Sequence, residues 1–501
     1  MRFSTPAAAA RFIDFIERRP QQAFAGFLVL HGVVWTALPA LFYANLPLDL
    51  IEALIYGREW QVGYDKLPPL PWWLVEIAHR TFNADTAYYA LAQIAVVIAF
   101  VLVYATARPL VGTLGALASV LIIDGLHYFQ YTAVKFNHDV VQLPFWALAG
   151  YSFHAALKRG RLLHWFLLGV AFGGALWAKY FVVMLAVPYV LFMFADRDAR
   201  RALATPGPWL ALAVALLIAA PHVIWLFQTD FLPFAYASHR AAPVHGFLDH
   251  LWHPAQFAGS QIFFALPALF IALAMFLPKP LPTEPTRHAD AFDRRIVTLL
   301  AFGPALTTIA LTAISGRGAV AMWGYPLWLF TGLWLVMAAP AALDKLRLGR
   351  LVTGWAVVFA IFIIVFVANY LIMPPIDHRY RAVLFPGDKL GPALTQRFHD
   401  ATGAPLTYVI GSMWDGGNLA HYSPDQPRVL IDGALRRAPW IDLADLRKKG
   451  AIVVWTQGDD KTLPPQFADI ASGAQVGTPF DLPMHNSDGT VHVGWVLLKP
   501  Q

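Results

Sequence analysis

Apolar blocks of about 20 residues, each closed by charge, Gly or Pro, recur along this chain, and they constrain the fold more than any other feature. A helix of that length crosses the hydrocarbon core of a bilayer, where every backbone polar group must be satisfied within the segment. The blocks start near Gln22, Asp85, Gly112, Asp139, Leu162, Phe181, Gly207, Gln256, Ile296, Ala319 and Leu351, which predicts a polytopic α-helical membrane protein of about eleven transmembrane helices. Of the 501 residues 58% are hydrophobic and 14% charged, against about a quarter charged in soluble domains. The chain has no cysteine, which excludes disulfides, thiolate zinc sites and a cysteine nucleophile. A net charge of +6 does not point to nucleic acid, because Lys and Arg are scattered between apolar spans rather than gathered on one face.

The scatter has an order of its own. Arg11, Arg18 and Arg19 precede the first span, and further clusters are Lys158-Arg159-Arg161, Arg197-Arg200-Arg201, Lys279 with Arg287-Arg294-Arg295, and Lys345-Arg347-Arg350. With this span count all five fall on one side, which the positive-inside rule assigns to the cytoplasm. The first span is read as a retained anchor rather than a cleaved signal. The segments around 44–84, 130–138 and 228–255 then face outward, as does everything after about Pro374. From about Ile376 the character changes to Gly-Pro turns and short β-rich runs at 406–410, 451–455 and 493–497, with helical patterns at 390–401 and 443–449. Residues 1–375 are thus expected to form the membrane domain, with a first external loop at 44–84, and 376–501 a small α/β domain outside the membrane.

The first external loop is long for a connector and rich in charge. Asp49 and Glu52, three residues apart in a helical stretch, share a face, with Tyr56 a further turn along. Asp49 lies just beyond an apolar span with no basic neighbour in sequence and is read as functional. Arg58 and Glu59 are read as part of a solvated interfacial helix, with Trp60, Trp72 and Trp73 as membrane-belt anchors. Lys66, Lys135, Lys179, Arg240 and Arg317 are isolated bases near span ends on the face that positive-inside bias depletes. Beside Asp49 and Asp139 they suggest a membrane-surface pocket for an anion, most simply a lipid-linked phosphate. Asp124 is expected to face the bundle interior or a wet cavity with His127, since an Asp at mid-membrane costs about 2.5–3.5 kcal/mol. In the 228–256 loop, His239, His245, His250 and His253 are spaced too irregularly for a preformed metal centre, and a mobile loop over the site is the preferred reading.

Gly63-Tyr64-Asp65-Lys66-Leu67-Pro68-Pro69-Leu70, with Asp49 upstream, resembles the first external loop of GT-C superfamily membrane glycosyltransferases of the protein O-mannosyltransferase and aminoarabinose-transferase type. Leu50 stands where that family has a Glu adjacent to its Asp, and Glu52 follows two residues later. Lys135-Phe136-Asn137-His138-Asp139 resembles the family's second external Asp motif, Ala178-Lys179-Tyr180 a turn where relatives carry Lys, and Gly316-Arg317 with Met322-Trp323-Gly324 its late external turn.

The resemblance implies a bacterial inner-membrane enzyme of GT-C fold, with a cytoplasmic N-terminus and a periplasmic C-terminal domain. It would move a sugar from a polyprenyl-phosphate donor to a lipid or glycan acceptor such as lipid A or the LPS core. In that chemistry Asp49 is the base, Glu52 orients the acceptor or shares the proton, and Lys66, Lys179 and Arg317 neutralise the leaving phosphate, giving inversion by single displacement. Tyr64, Asp65, Lys135, Asn137, Tyr180 and Arg240 complete the expected substrate-binding set. His138 and Asp139 bind donor, acceptor or a divalent cation, with structural hydrogen bonding ranked ahead of metal; no cofactor is assigned. The alternatives are a multi-span transporter or flippase for a lipid-linked anion, and a scaffold retaining a degenerate family fold.

Overall fold

The computed structural model describes residues 7–277, 289–339 and 343–501. Lys279 and Arg287 of the fourth basic cluster lie outside those residues, as does the side chain of His239. The chain divides into two compact units: Met1–Ala37, Lys66–Pro68 and Tyr89–Ile364 form one, and Leu38–Asp65, Pro69–Tyr88 and Val365–Gln501 the other. Most of residues 44–84 therefore packs with the C-terminal segment.

The first unit is helical. Among the described residues six helices are long and apolar enough to span a membrane: Pro20–Phe42, Asp85–Asp124, Pro206–Gln228, Asp249–Phe276, Ala291–Ser315 and Lys345–Ile372. The number is eight if each of two bent pairs is one span. Each of the eleven starts expected from hydropathy meets a helical segment, but not every segment is an independent span. The runs expected from Asp85 and Gly112 are two helices within Asp85–Asp124 that meet at a kink at Gly112, whose φ of 72° lies in the left-handed region that a Cβ disfavours. Leu162–Ala178, at 17 residues, is shorter than the spanning helices. Large apolar side chains such as Leu217 (75% exposed) and Ile314 (77%) stand outward on these helices, the surface a bilayer covers. Inward, Phe100, Tyr128, Phe129, Trp146 and Phe153 are fully buried.

Asp124 is fully buried, as its sequence position suggested. His31 Nδ1 lies 2.9 Å from its Oδ1, and Oδ2 accepts from Trp355 Nε1 at 2.7 Å and Gln130 Nε2 at 3.0 Å. A buried carboxylate that accepts from Trp355 and Gln130, with the His31 ring beside its other oxygen, ties these segments together. The basic clusters are also joined. Lys158 reaches Asp290 at 2.6 Å and Asp293 at 3.1 Å; Arg295 reaches Asp196 at 2.6 Å and Asp198 at 2.7 Å. Lys345 pairs with Asp14, and Arg350 donates to the Leu277 carbonyl. These contacts tie the second, third and fourth clusters to one another, and the fifth to the N-terminal segment.

The second unit contains a five-stranded sheet: β1 (Tyr408–Gly411), β2 (Arg428–Ile431), β3 (Ala451–Trp455), β4 (Phe480–Pro483) and β5 (Thr490–Leu498), in the order β2-β1-β3-β5-β4. β1 runs parallel to β2 and β3, while β5 is antiparallel to β3 and β4. Helices Gly387–Thr402, Asp415–Tyr422 and Leu443–Lys449 accompany it, the last capped by the Asp442 side chain. Leu390, Leu394, Phe398, Val409, Leu419, Ile452, Val454 and Val493 form its core. The loop contributes helices Leu48–Gly57 and Leu70–Phe82 to the same unit. They meet where a Cβ on Gly57 would strike the Trp72 carbonyl, and Gly417 brings the Asp415–Tyr422 helix onto Ile51 and Ile55 in the same way.

Candidate functional site

In the second unit, Asp49 lies in the first turn of the Leu48–Gly57 helix and is exposed. A helix N-terminus favours negative charge, so the carboxylate is both reachable and supported there. Glu52, by contrast, is only 8% exposed and lies close enough to Tyr56 to act on it electrostatically. The two carboxylates expected on one face thus differ in access: Asp49 faces solvent and Glu52 the interior.

Tyr56 and Tyr64 pin the loop. Tyr64, 2% exposed, donates its hydroxyl to the Tyr56 carbonyl at 2.6 Å and accepts the Gln61 N–H at 3.0 Å. Tyr56 donates to Asp65 Oδ1 at 2.6 Å, and the other Asp65 oxygen accepts from Arg437 Nε at 3.0 Å. Burial, with the Asp65 and Glu52 carboxylates nearby, pushes the Tyr56 hydroxyl well above its ordinary range, so it remains a donor. Burial likewise raises Tyr64. The geometry of the loop is therefore maintained by the very residues, Tyr64 and Asp65, that the sequence offered as substrate contacts.

Three sequence readings need correction. Trp72 is not a membrane-belt anchor: it is buried with its ring 4.4 Å from that of Tyr56 and 4.8 Å from that of Tyr64. Glu59 is not solvated, because Arg428 takes its carboxylate through Nε at 3.1 Å and through a second nitrogen. Arg58 is half-buried and donates to the carbonyls of Gln426 at 3.0 Å and Pro427 at 3.1 Å. Arg428 and Arg437, which organise the loop, were missed, since partners more than 360 residues away leave no local pattern.

In the first unit the Lys135–Asp139 motif opens the helix His138–Arg159. Asn137 is its N-cap, accepting the N–H groups of Asp139 at 3.0 Å and Val140 at 3.1 Å. His138 is buried and its Nε2 meets the Pro68 carbonyl at 3.0 Å, which makes that nitrogen a donor rather than a metal ligand. Asp139 accepts from Lys179 Nζ at 2.6 Å and from Gln142 at 3.0 Å. Lys179 is 8% exposed, sits where the Leu162–Ala178 helix stops, and lies 5.9 Å and 6.0 Å from the rings of Phe181 and Trp323. The structure thus joins two predicted site residues, Asp139 and Lys179, in a nearly buried ion pair beside Trp323.

Of the remaining bases, Lys66 lies close enough to His138 to act on it electrostatically, as Lys179 does. Lys66 lies 5.2 Å from the Tyr236 ring, and the Tyr180 hydroxyl meets His222 Nε2 at 2.9 Å. Arg317 is exposed and donates to the Ser238 carbonyl at 3.2 Å; Arg240 is exposed and Lys135 half-buried. His250 and His253 each meet a backbone carbonyl, at 2.7 Å from Ala313 and 2.6 Å from Gly316. Among the described residues the group of three that could hold a metal ion is Asp460, Asp481 and His492, none of them an expected site residue.

Residues 66–225 match the family model described as dolichyl-phosphate-mannose-protein mannosyltransferase. Over 205 residues the chain is 27% identical to the lipopolysaccharide core galacturonosyltransferase RgtA of Rhizobium johnstonii; the match spans 40% of this chain and 40% of the length of that relative. The crystal structure of ArnT from Cupriavidus metallidurans bound to undecaprenyl phosphate superposes with a TM-score of 0.61 over 94% of this chain and 97% of that one, at 12% identity. Its apo state gives 0.60 over 95% and 98%, at 14% identity. The chain shares the fold of these ArnT structures, and its match to the mannosyltransferase family model and to RgtA agrees with the resemblance read from its motifs.

Proposed function

We propose that this chain, built on the GT-C fold, is an inner-membrane glycosyltransferase that moves a sugar from a polyprenyl-phosphate donor to an envelope acceptor, lipid A, the LPS core or another glycolipid, at the periplasmic face. The observation that carries the reading is the exposed Asp49 carboxylate at a helix N-terminus in the first external loop. An acceptor hydroxyl attacks the anomeric carbon, Asp49 takes its proton, and the bond from that carbon to the phosphate oxygen breaks, leaving polyprenyl phosphate. Lys66, Lys179 and Arg317 supply positive charge for the departing phosphate. One displacement inverts the anomeric centre, with no sugar-enzyme bond.

Within this reading Tyr64 and Asp65 hold the loop that carries Asp49, Glu52 supports that base from the buried side of its helix, and Asn137 sets the start of the helix that presents Asp139. His138, Asp139, Lys135, Tyr180 and Arg240 are assigned to substrate binding. The basic clusters, the second to fourth tied to one another and the fifth to the N-terminal segment, support a cytoplasmic placement of these segments and of the N-terminus. Residues 376–501 then belong to the periplasmic part.

The experiment is to incubate purified protein with polyprenyl-phosphate sugars radiolabelled in the sugar, together with envelope lipid extract. Labelled acceptor lipid and free polyprenyl phosphate are expected. A transporter or flippase would relocate the donor with its anomeric bond intact, and a scaffold would leave the label on the donor.

A further inference from the structure

The second unit holds a cavity of about 710 Å³ that none of the proposed catalytic residues line. Its walls come from the end of the Leu48–Gly57 helix, the Leu70–Phe82 helix, the Asp415–Tyr422 helix and the start of β2. Three guanidinium groups, Arg58, Arg80 and Arg428, two imidazoles, His79 and His421, and two carboxylates, Glu59 and Glu76, contribute to them. With both histidines neutral the formal sum is three positive less two negative, or +1.

The charges are layered. Glu59 and Glu76 side chains are 8% and 5% exposed, whereas those of Arg58, Arg428 and Arg80 are 34%, 33% and 61% exposed. Each carboxylate sits behind an arginine: Arg428 on Glu59, and Arg80 on Glu76 at 2.6 Å. The acids thereby fix the forks in place, and the surface offered to a ligand is cationic. Burial holds His79 below its ordinary pKa, and protonation at lower pH would add charge of the same sign. Next to one of these lining groups, the exposed indole of Trp60 lies 5.8 Å from the Arg80 guanidinium and 6.2 Å from the Trp73 ring. A solvent-open cavity of this size, its charged groups set among apolar side chains such as Leu54, Ile55 and Val429, suits one or two sugar rings better than a lipid tail, and an aromatic face beside fixed cations suits a sugar that carries an anionic group.

We propose that this cavity binds an acidic saccharide, one bearing a carboxylate or a phosphate, and that it holds the sugar head of the acceptor. The second half rests on the glycosyltransferase reading; the binding itself does not. Full-length protein in detergent is titrated with digalacturonate, glucose 1-phosphate and neutral galactobiose, with saturation-transfer NMR as readout. Saturable binding of at least one acidic probe is expected, about tenfold tighter than galactobiose. Arg80→Gln keeps a donor for Glu76 and should weaken acidic binding, and the exposed change Trp60→Ala should weaken it without altering the circular dichroism spectrum. Digalacturonate carries only carboxylate and glucose 1-phosphate only phosphate, so their ratio identifies the anionic group. Equal binding of galactobiose, acidic binding indifferent to both variants, or no saturation by any probe in a preparation that transfers sugar would overturn the proposal. Acidic binding that persists in protein inactive with every donor would remove the acceptor assignment and leave the binding site standing.

Discussion

Single residues show where local sequence runs out. Asp49 stands out in the sequence as a carboxylate just beyond an apolar block with no base nearby, and the structure leaves it exposed in the first turn of a helix. The burial of Glu52 was not legible, since it follows from what packs on the other side of its helix. Lys179 stands out as an isolated base near a span end, but its pairing with Asp139 joins segments 40 residues apart. Asp415 was not singled out at all. It is buried, accepts from Thr456 at 2.6 Å and Ser412 at 2.8 Å, and burial raises its pKa against the opposing effect of those two hydrogen bonds. Because the folded state then holds the proton more tightly than the unfolded one, its contribution to stability is fully present below about pH 3.9 and is lost as pH rises through the raised folded value. Asp415→Asn should remove that part of the slope, which thermal unfolding across pH 4 to 7 measures; an unchanged slope would show that Asp415 does not titrate this way.

Elements were read best where their pattern was local. The fully buried run Ala451–Trp455 emerged as β3 with the expected bounds, and the helix Leu443–Lys449 likewise. β2 and β4 were missed. Each has four residues, too few to show a period, and β4 ends in Pro483, which an edge strand tolerates and a central one does not. The apolar blocks located helices and one of their breaks: the starts expected at Asp85 and Gly112 are the two helices that meet at the Gly112 kink. The contact at Gly57 is of the same hidden kind. A Cβ there would strike the Trp72 backbone, so Gly57→Val should force the Leu48–Gly57 and Leu70–Phe82 helices apart at a cost of about 1–3 kcal/mol. The expected outcome is a lower unfolding midpoint in detergent, whereas Gly26→Val, where a Cβ meets open space, should leave it nearly unchanged.

For the whole molecule, hydropathy carried the apolar helices, because a bilayer demands them of any chain that crosses it, and the spacing of the basic clusters carries the proposed sidedness. Neither could show that most of residues 44–84 packs with the C-terminal segment, an association made by pairs such as Glu59–Arg428 and Asp65–Arg437. The proposed sidedness has a clean test, because the chain contains no cysteine. In intact cells, Asp488→Cys should react with a membrane-impermeant maleimide, and Arg201→Cys only after permeabilisation; the reverse pattern would invert the topology. The central claim is that Asp49 is the base for sugar transfer. Its most direct test is the single-turnover rate of Asp49→Asn, compared with wild type inserted to the same level and unfolding at the same temperature. Loss of a general base predicts a fall of at least about a hundredfold with donor binding retained; transfer at the wild-type rate would contradict the account.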